Sequence, residues 1–274
     1  MTNFIQIDDP TDPRLDPVRD LKNSDQGGKG LVIAEGPLIV RRLLESRYPV
    51  KTIVGFDAKI RSFLEEEGVA ELVAEIPIYV ISRETLKQVA GFDMHRGLLA
   101  AAERVEPASV QEALDGAKTI AILEGVGDHE NIGSLFRNAA GMEVDAVLFG
   151  AACADPLYRR AVRVSMGHVL RLPFAYLDGT PRNWQRSLSQ LAEDGWHLVS
   201  LTPNTDTMLK EALAGNPDKV ALLIGAEGPG LTEHAMRATH VRAKIPMAPG
   251  TDSLNLATAA AIAFYERQRT HQEP

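Results

Sequence analysis

Short apolar runs alternate with amphipathic segments along the chain, after a polar lead-in for which we predict one short helix at residues 13–24. In the first part of the chain the pattern predicts strands at LVIAEG, VKTIVGF, IPIYVI and LLAAAER. Helices are predicted at PLIVRRLLES, where Pro37 suits a first turn, at AKIRSFLEEEG, which Gly68 closes, and at SRETLKQVAG, where Ser82 suits an N-cap. Together these elements predict a small α/β domain.

The segment ERVEPASVQEALDG interrupts this pattern with charged residues and Pro107. We therefore place a domain boundary there, with residues 1–107 as the first domain and residues 108–274 as the second. In the second domain, strands are predicted at TIAILEG, DAVLFG, LRLPFAYL, HLVSLTP, KVALLIG and HVRAKIP, with a long final helix at SLNLATAAAIAFYERQR. Short aliphatic strands separated by helices indicate a mainly parallel sheet covered on both faces.

Composition narrows the class of protein. With 274 residues, 45% of them hydrophobic and 24% charged, the chain resembles an ordinary globular protein of two domains. The chain has a single cysteine, Cys153, which excludes an intrachain disulfide, so we expect a reducing compartment and a buried inert thiol. No Cys/His cluster has metal-ligand spacing, so we expect no metal. The N-terminus lacks an apolar signal region and the longest apolar run, LATAAAIAFY, is too short to cross a bilayer, which predicts a soluble cytoplasmic protein.

The charge distribution leaves RNA binding open. A net charge of −8 argues against a broad non-specific grip on nucleic acid, because phosphate binding needs local positive potential. One stretch, PLYRRAVRVSMGHVLRLPF, is nevertheless basic and contains no acidic residue. It forms either a solvated helix face or a phosphate-binding surface, and its arginines are Arg159, Arg160, Arg163 and Arg171.

Three loops that follow predicted strands carry candidate chemistry, since ligands of open α/β sheets bind beyond the carboxyl ends of the strands. In the first loop, NIGSLFRNAA, the apolar residues follow a helical stripe, and Arg137 lies well off the centre of that stripe. Asn131 precedes the stripe, so its side chain is either a helix N-cap or part of a site.

The second loop, LLIGAEGPG, runs from an aliphatic strand into Gly225, Gly228 and Gly230, with Glu227 among them. Glycines allow a ligand to approach the backbone closely, although a tight turn alone would also use them. A carboxylate in so crowded a loop is unusual unless it has a partner. The loop lacks the signatures of a P-loop and of a dinucleotide fold.

The third loop, IPMAPGTDSLN, precedes an Ala-rich helix that is narrow enough to pack closely on another backbone. It contains Ser253 and Asn255. Ser253 suits an N-cap, and no His or Lys accompanies it, so a hydrolase nucleophile is a poor interpretation.

In order and spacing, the three loops resemble the signature motifs of the SpoU (TrmH-type) branch of SPOUT RNA methyltransferases, over residues 118–269. The family's first motif matches Asn131, Gly133 and Arg137, its second matches Gly225, Glu227, Gly228 and Gly230, and its third matches residues 245–247 and 253–255. VRVSMGHVLRLP is similar to the family's Arg-x-Ser-x-Gly segment, and VIAEGPLIVRRLL resembles its ribosomal-protein-like substrate-binding domain. One departure is Leu256-Ala257-Thr258, where the family continues with Val-Ser, and we expect this change to affect packing rather than chemistry.

The resemblance implies a fold and an assembly. The fold is a smaller N-terminal α/β substrate-binding domain followed by a C-terminal SPOUT domain, whose mainly parallel sheet carries a deep trefoil knot. The assembly is a homodimer that forms through the first-motif helix and the final helix. The implied reaction is methyl transfer from S-adenosylmethionine to a ribose 2′-hydroxyl of RNA, with rRNA favoured over tRNA.

The resemblance also implies roles for individual residues. Gly225, Ile245 and Leu254 line the cofactor pocket, with Thr202 as a weaker candidate. The implied catalytic set is Arg137, which acts on the cofactor of the partner subunit, together with Asn131, Glu227, Ser253 and Asn255. A guanidinium stays protonated in proteins, so a requirement for Arg137 is a firmer expectation than its acting as the base. Positioning and charge stabilisation would account for the same requirement.

Two other functions remain compatible with part of the sequence. An unknotted class I methyltransferase or dinucleotide enzyme would use LEGVGDHE as its Gly-rich turn, but Glu130 stands where the third glycine belongs. Such an enzyme would lose its cofactor with Gly127→Ala and tolerate Leu254→Arg. A catalytically silent RNA- or ribosome-binding protein of the same fold is the second alternative, and the presence of the complete implied catalytic set argues against it.

Overall fold

The computed structural model describes residues 4–22, 30–251 and 253–272. Its strands are β1 (Phe4–Ile7), β2 (Leu31–Glu35), β3 (Val50–Gly55), β4 (Ile78–Ile81), β5 (Leu98–Glu103), β6 (Thr119–Glu124), β7 (Ala146–Phe149), β8 (Phe174–Tyr176), β9 (His197–Leu201), β10 (Val220–Gly225) and β11 (Val241–Ala243). Its α-helices are α1 (Pro37–Leu44), α2 (Asp57–Leu64), α3 (Val69–Leu72), α4 (Arg83–Ala90), α5 (Val110–Ala113), α6 (His129–Gly141), α7 (Arg159–Val164), α8 (Arg186–Glu193), α9 (Leu209–Ala212), α10 (Glu233–Arg237) and α11 (Leu256–Gln272). Short 3₁₀ helices cover Pro13–Val18 and His168–Leu170.

The chain divides into two units, one comprising Met1–Glu106 and Pro156–Arg171, the other Pro107–Asp155 and Leu172–Pro274. Residues 156–171 were expected within the second domain and group instead with the first unit. The reason is a set of contacts between positions far apart in sequence. Arg159 of α7 forms an ion pair with Glu35 at the end of β2, and Arg42 Nη1 donates to the Met166 carbonyl at 2.6 Å.

The sheet of the first unit has the strand order β1-β4-β3-β5-β2, in which β5 is antiparallel to both β2 and β3 and the other pairs are parallel. The sequence pattern does not reveal β1, because it is a four-residue run in a polar lead-in that gains its hydrogen bonds from the distant β4. Within the helix predicted at residues 13–24, the structure has a 3₁₀ helix that ends at Val18, and residues 23–24 lie outside the described residues. Pro17 lies inside this 3₁₀ helix and has no N–H with which to continue an α-helical ladder.

The second unit contains a wholly parallel six-stranded sheet with the order β11-β9-β10-β6-β7-β8, which confirms the predicted mainly parallel sheet. Helices α5, α8 and α10 pack on one face around the buried Trp184 and Leu188. On the opposite face Phe136 of α6 stacks on Phe149 of β7, and α11 packs beside α6. Because β9, β10 and β6 are neighbours, the loops at their carboxyl ends lie side by side.

The final helix is anchored at its far end by a buried arginine. Arg267 is 1% exposed and donates to Thr119 Oγ1, Asn216 Oδ1 and the Asp218 carbonyl, at 3.1 to 3.2 Å. Burial lowers the pKa of this guanidinium from its ordinary value. These bonds connect α11 to the amino-terminal edge of the sheet, while its first turn lies at the opposite edge.

Candidate active site

The first-motif helix, α6, begins at His129, three residues earlier than an N-cap at Asn131 would place its start. Asp128 is its N-cap, because Asp128 Oδ1 accepts hydrogen bonds from the backbone N–H of Glu130 at 2.6 Å and of Asn131 at 3.1 Å. The interpretation of Asn131 as the N-cap is therefore wrong. The side chain of Asn131 does not cap the helix. Its Oδ1 instead accepts a hydrogen bond from Asn255 Nδ2 at 2.9 Å.

Asn255 joins the three motifs through one amide group. Its Nδ2 donates to Asn131 Oδ1 at 2.9 Å and to Glu227 Oε1 at 2.7 Å. Its Oδ1 accepts from the backbone N–H of Ala257 at 3.0 Å and of Thr258 at 3.2 Å, so Asn255, rather than Ser253, caps α11. Because both ends of the amide are engaged, the capped helix fixes the direction in which Nδ2 donates. Asn255 thereby supplies the partner that the Glu227 carboxylate was expected to need.

The second-motif loop is folded tightly on itself. A Cβ atom added to Gly225 would lie 2.2 Å from the backbone nitrogen of Leu231, a distance that no side chain can occupy. Gly228 and Gly230 have φ angles of 84° and 70°, in the left-handed region that favours glycine. The turn is closed by a hydrogen bond of 3.0 Å from Gly230 N–H to the Ala226 carbonyl. The glycine at 225 is thus required by the loop itself, before any ligand is considered.

A cavity of about 420 Å³ lies beside this loop. All four predicted cofactor residues line it, namely Thr202, Gly225, Ile245 and Leu254. Glu227 and Ser253 of the predicted catalytic set line it as well. Much of the remaining wall is aliphatic or thioether, with Leu201, Ile224, Met236, Met247 and Leu256. Its volume and its mostly apolar lining with a few polar groups are typical of small-molecule sites.

Arg137 is placed differently from the rest of the predicted set. It is exposed on α6 and is absent from the lining of the cavity. Within the described ranges its guanidinium forms no ion pair or hydrogen bond. The chain therefore brings Asn131, Glu227, Ser253 and Asn255 to one place and leaves Arg137 free to meet another molecule.

The basic stretch at residues 159–171 has divided roles. The side chain of Arg159 is only 13% exposed, because its guanidinium pairs with Glu35 and lies 5.0 Å from the centre of the Phe92 ring. This placement contradicts the expectation that Arg159 offers its charge to RNA phosphates. Arg160 and Arg171 are exposed and Arg163 is half-buried, so these three side chains remain accessible in the first unit.

One buried carboxylate near the site escaped the sequence analysis. Glu124, the last residue of β6, is 6% exposed and accepts from Trp184 Nε1 at 2.9 Å and Gln185 Nε2 at 3.4 Å. It also accepts from the Thr232 N–H at 2.8 Å and the Thr232 hydroxyl at 3.0 Å. Thr232 directly follows Leu231 of the cavity wall. Glu124 therefore holds the end of the glycine loop in place. The sequence feature that could have indicated this role is a single carboxylate at the end of an otherwise apolar strand.

Cys153 contributes no reactive group. Its thiol lies 3.5 Å from the Leu123 carbonyl, and burial raises its pKa to about 11, so it stays protonated at neutral pH. In the described part of the chain, no cluster of three or more His, Cys, Asp or Glu side chains could hold a metal ion. Among the helices of those same residues, none combines the length and apolar character that a bilayer span requires.

Comparisons with known proteins extend these observations. A sequence model described as the SpoU rRNA Methylase family matches residues 118–265. An uncharacterized tRNA/rRNA methyltransferase of Mycobacterium bovis is 51% identical over 270 residues, covering 96% of this chain and 91% of the relative. The 23S rRNA (guanosine-2'-O-)-methyltransferase RlmB of Ralstonia nicotianae is 28% identical over 220 residues, covering 78% of this chain and 84% of the relative.

The fold itself has a solved counterpart. The structure of an AdoMet-bound rRNA methyltransferase from Sinorhizobium meliloti superposes with a TM-score of 0.79 at 22% identity, covering 98% of this chain and 99% of the other. This likeness concerns the fold. Together with the family match and the relative at 51% identity, it confirms the resemblance drawn from the three motifs. The chain belongs to the SpoU rRNA methylase family.

Proposed function

We propose that this protein transfers a methyl group from S-adenosylmethionine to a ribose 2′-hydroxyl of RNA in the cytoplasm, with rRNA favoured over tRNA. The observation that carries the proposal is the hydrogen-bonded group formed by Asn131, Asn255 and Glu227, one member of which lines a cavity of cofactor size. Two of the relatives, a tRNA/rRNA methyltransferase and a 23S rRNA (guanosine-2'-O-)-methyltransferase, support RNA as the substrate class.

The residues of the cavity fit the cofactor. Backbone groups of the glycine loop are accessible to an adenine ring because Gly228 and Gly230 carry no side chain. Aliphatic walls such as Ile245 and Leu254 suit the apolar faces of the ligand, and the Glu227 carboxylate offers an acceptor. When bound, S-adenosylmethionine supplies an electrophilic methyl group. The chain's task is then to orient the ribose hydroxyl in line with that methyl group and exclude competing water.

Arg137 completes the site across a homodimer in this proposal. The guanidinium is exposed, unpaired within the described residues and outside its own chain's cavity, as expected of a group that serves a partner subunit. Helix α11 exposes Ile262 and Tyr265 by 37% and 56%, three residues apart on one face, which suits a helix-to-helix contact between copies. Arg137 would bind the ribose or its phosphate and stabilise developing charge.

The trefoil knot that the family resemblance implies for the second unit stays a prediction.

The first unit is proposed to bind the RNA. Arg160, Arg163 and Arg171 are its accessible arginines in the basic stretch, and phosphate contacts of this kind supply affinity without sequence information. Arg159 instead holds α7 against β2 through Glu35.

Ribose methylations should be mapped across rRNA and tRNA in cells with and without this gene. Loss of a specific 2′-O-methyl mark, restored by the wild-type gene but not by Arg137→Ala, is the expected result. A silent RNA-binding protein would leave every mark in place. Loss of marks only in tRNA would retain the reaction and overturn the preference for rRNA.

A further inference from the structure

Glu227 is the one charged side chain among the described residues that line the cavity. The other side chains of that lining with polar oxygen or nitrogen atoms, those of Thr202, Asn204 and Ser253, are neutral. Aliphatic and thioether groups form much of the rest of the wall. A cavity whose single charged group is a carboxylate is complementary to a ligand that carries a positive charge.

No positively charged side chain of the described residues pairs with the Glu227 carboxylate. Its Oε1 accepts a hydrogen bond from Asn255 Nδ2 at 2.7 Å and a longer one from the backbone N–H of Leu256 at 3.5 Å, and both donors are neutral. Within the same part of the chain, Oε2 forms no hydrogen bond or ion pair. The two bonds hold the carboxylate in place, while its charge and its second oxygen remain available to a ligand.

Glu227 lies where the cavity meets the cluster of motif residues. It follows the end of β10 by two residues, in the loop that forms one wall of the cavity. Through Asn255 it is also connected to Asn131 of the first-motif helix. In the proposed function the methyl group has to reach the ribose at this cluster, so the sulfonium that carries the methyl group is expected at the same end of the cavity.

We propose that the Glu227 carboxylate makes the cavity sensitive to the charge on the sulfur of its ligand, so that S-adenosylmethionine is held and the product S-adenosylhomocysteine is released. In the transfer the methyl group bonds to the ribose oxygen, whose proton passes to solvent, and the S–CH3 electron pair stays on sulfur. The sulfur thereby loses its positive charge, and with it the attraction to the carboxylate. This inference rests on the proposed function and gives Glu227 a role in binding the donor and releasing the product.

The test compares wild-type protein with Glu227→Gln by calorimetry, on the full chain and without RNA. Glutamine keeps a side-chain oxygen that can accept from Asn255 Nδ2, so the change removes the charge and preserves the bridge. The ligands are S-adenosylmethionine, S-adenosylhomocysteine and sinefungin, an unreactive analogue with a protonated amino group in place of the methyl group.

The variant is expected to bind the two cationic ligands about 5-fold more weakly and to bind S-adenosylhomocysteine with unchanged affinity. A factor of about 5 corresponds to the attraction between unit charges about 4 Å apart in water, which applies because Glu227 is exposed. A second measurement uses the wild-type protein alone. The ratio of the Kd values for S-adenosylhomocysteine and S-adenosylmethionine is expected to fall as sodium chloride is raised, because salt screens the carboxylate.

Equal weakening of all three ligands in Glu227→Gln would overturn the proposal, because it would place the carboxylate at the amino-acid ammonium group that they share. Unchanged affinities in that variant, or a wild-type Kd ratio that does not respond to salt, would overturn it as well. A wild-type protein that binds none of the three ligands would refute the proposed function itself, so the two failures are distinguishable.

Discussion

Asn255→Asp separates the two tasks of the residue that joins the motifs. In the structure Asn255 Oδ1 caps α11, while Nδ2 donates to Asn131 and Glu227. Aspartate caps a helix about as well as asparagine, and its charge is favoured near a helix N-terminus by about 0.3–1 kcal/mol. The variant therefore keeps the cap and removes only the donor.

The expected loss lies in the site rather than in the fold. A hydrogen bond to a charged group contributes about 1.5–3 kcal/mol and one between neutral groups about 0.5–1.5 kcal/mol. Asn255 and Glu227 are exposed, so solvent screening places the loss near the lower end of these ranges. Two facing carboxylates would also repel each other and move Glu227 away from Asn131. Because displacing a catalytic group by about 1 Å can cost about 100-fold, we expect a kcat decrease of that order.

The assay measures methyl transfer to RNA, KM for the methyl donor and the melting temperature. Retention of the cap predicts a melting temperature within about 2–4 °C of the wild type, the shift caused by about 1 kcal/mol in a domain of this size. Asn138→Asp is the matched control, because Asn138 Nδ2 also connects α6 to α11, through the Ala257 carbonyl at 2.9 Å, without touching Glu227. That control should lose stability and keep kcat within a few-fold.

A kcat of Asn255→Asp within twofold of the wild type would refute this reasoning, since the bridge would then be dispensable. Equal kcat losses in Asn255→Asp and Asn138→Asp would attribute the effect to general loosening of the two helices.

Three further predictions follow from the loop, its support and the buried thiol. Gly225→Ala should lower the affinity for S-adenosylmethionine at least 10-fold in calorimetry, because the added Cβ would lie 2.2 Å from a backbone nitrogen. The control Gly127→Ala should bind the cofactor normally, because its added Cβ would have no atom within 4 Å. The reverse pattern would support the site of a class I methyltransferase. Glu124→Gln replaces a carboxylate that accepts four hydrogen bonds with an amide that also donates, so we expect a raised KM for the cofactor and a loss of about 1–3 kcal/mol in urea unfolding. The Cys153 pKa is raised from 9.0 to about 11, so the thiol contributes stability below pH 9 that is lost as pH rises through about 11, by about 2–3 kcal/mol. Unfolding curves across this range should show that Cys153→Ala reduces the loss, and an unchanged pH dependence would contradict the assignment.

The sequence predicted the parallel sheet well because its signal is local. Most strands of the second unit are short aliphatic runs that lie between helices in the sequence. Such a run can be recognised as a buried parallel strand without knowing which strand it pairs with. The strand β1 lacks that signal, since it depends on pairing with β4 far along the chain. The boundaries of α6 and α11 shifted for a different reason. Several Asp, Asn and Ser residues near each helix start could cap it, and only the folded backbone selects Asp128 and Asn255.

The candidate site shows the same division between local and distant information. The glycine pattern and the spacing of the motifs identified the residues that line the cavity. The role of Glu124 could not be inferred, because its donors at Trp184 and Thr232 are 60 and 108 positions away. The charge of Arg159 suggested an RNA contact, whereas its pairing with Glu35 across 124 positions gives it a structural role. The sequence shows which side chains are charged, but whether a charged side chain is accessible to RNA depends on its tertiary contacts.

The central claim is that the three motifs form one methyl-transfer site for RNA ribose. Purified protein should be incubated with S-adenosylmethionine labelled in its methyl group and with rRNA from cells lacking the gene, and the RNA then digested to nucleosides and resolved by mass spectrometry. The account predicts label in a single 2′-O-methylated nucleoside, abolished by Arg137→Ala while calorimetry shows unchanged cofactor binding. Label on a base instead of a ribose, or full activity of Arg137→Ala, would contradict it.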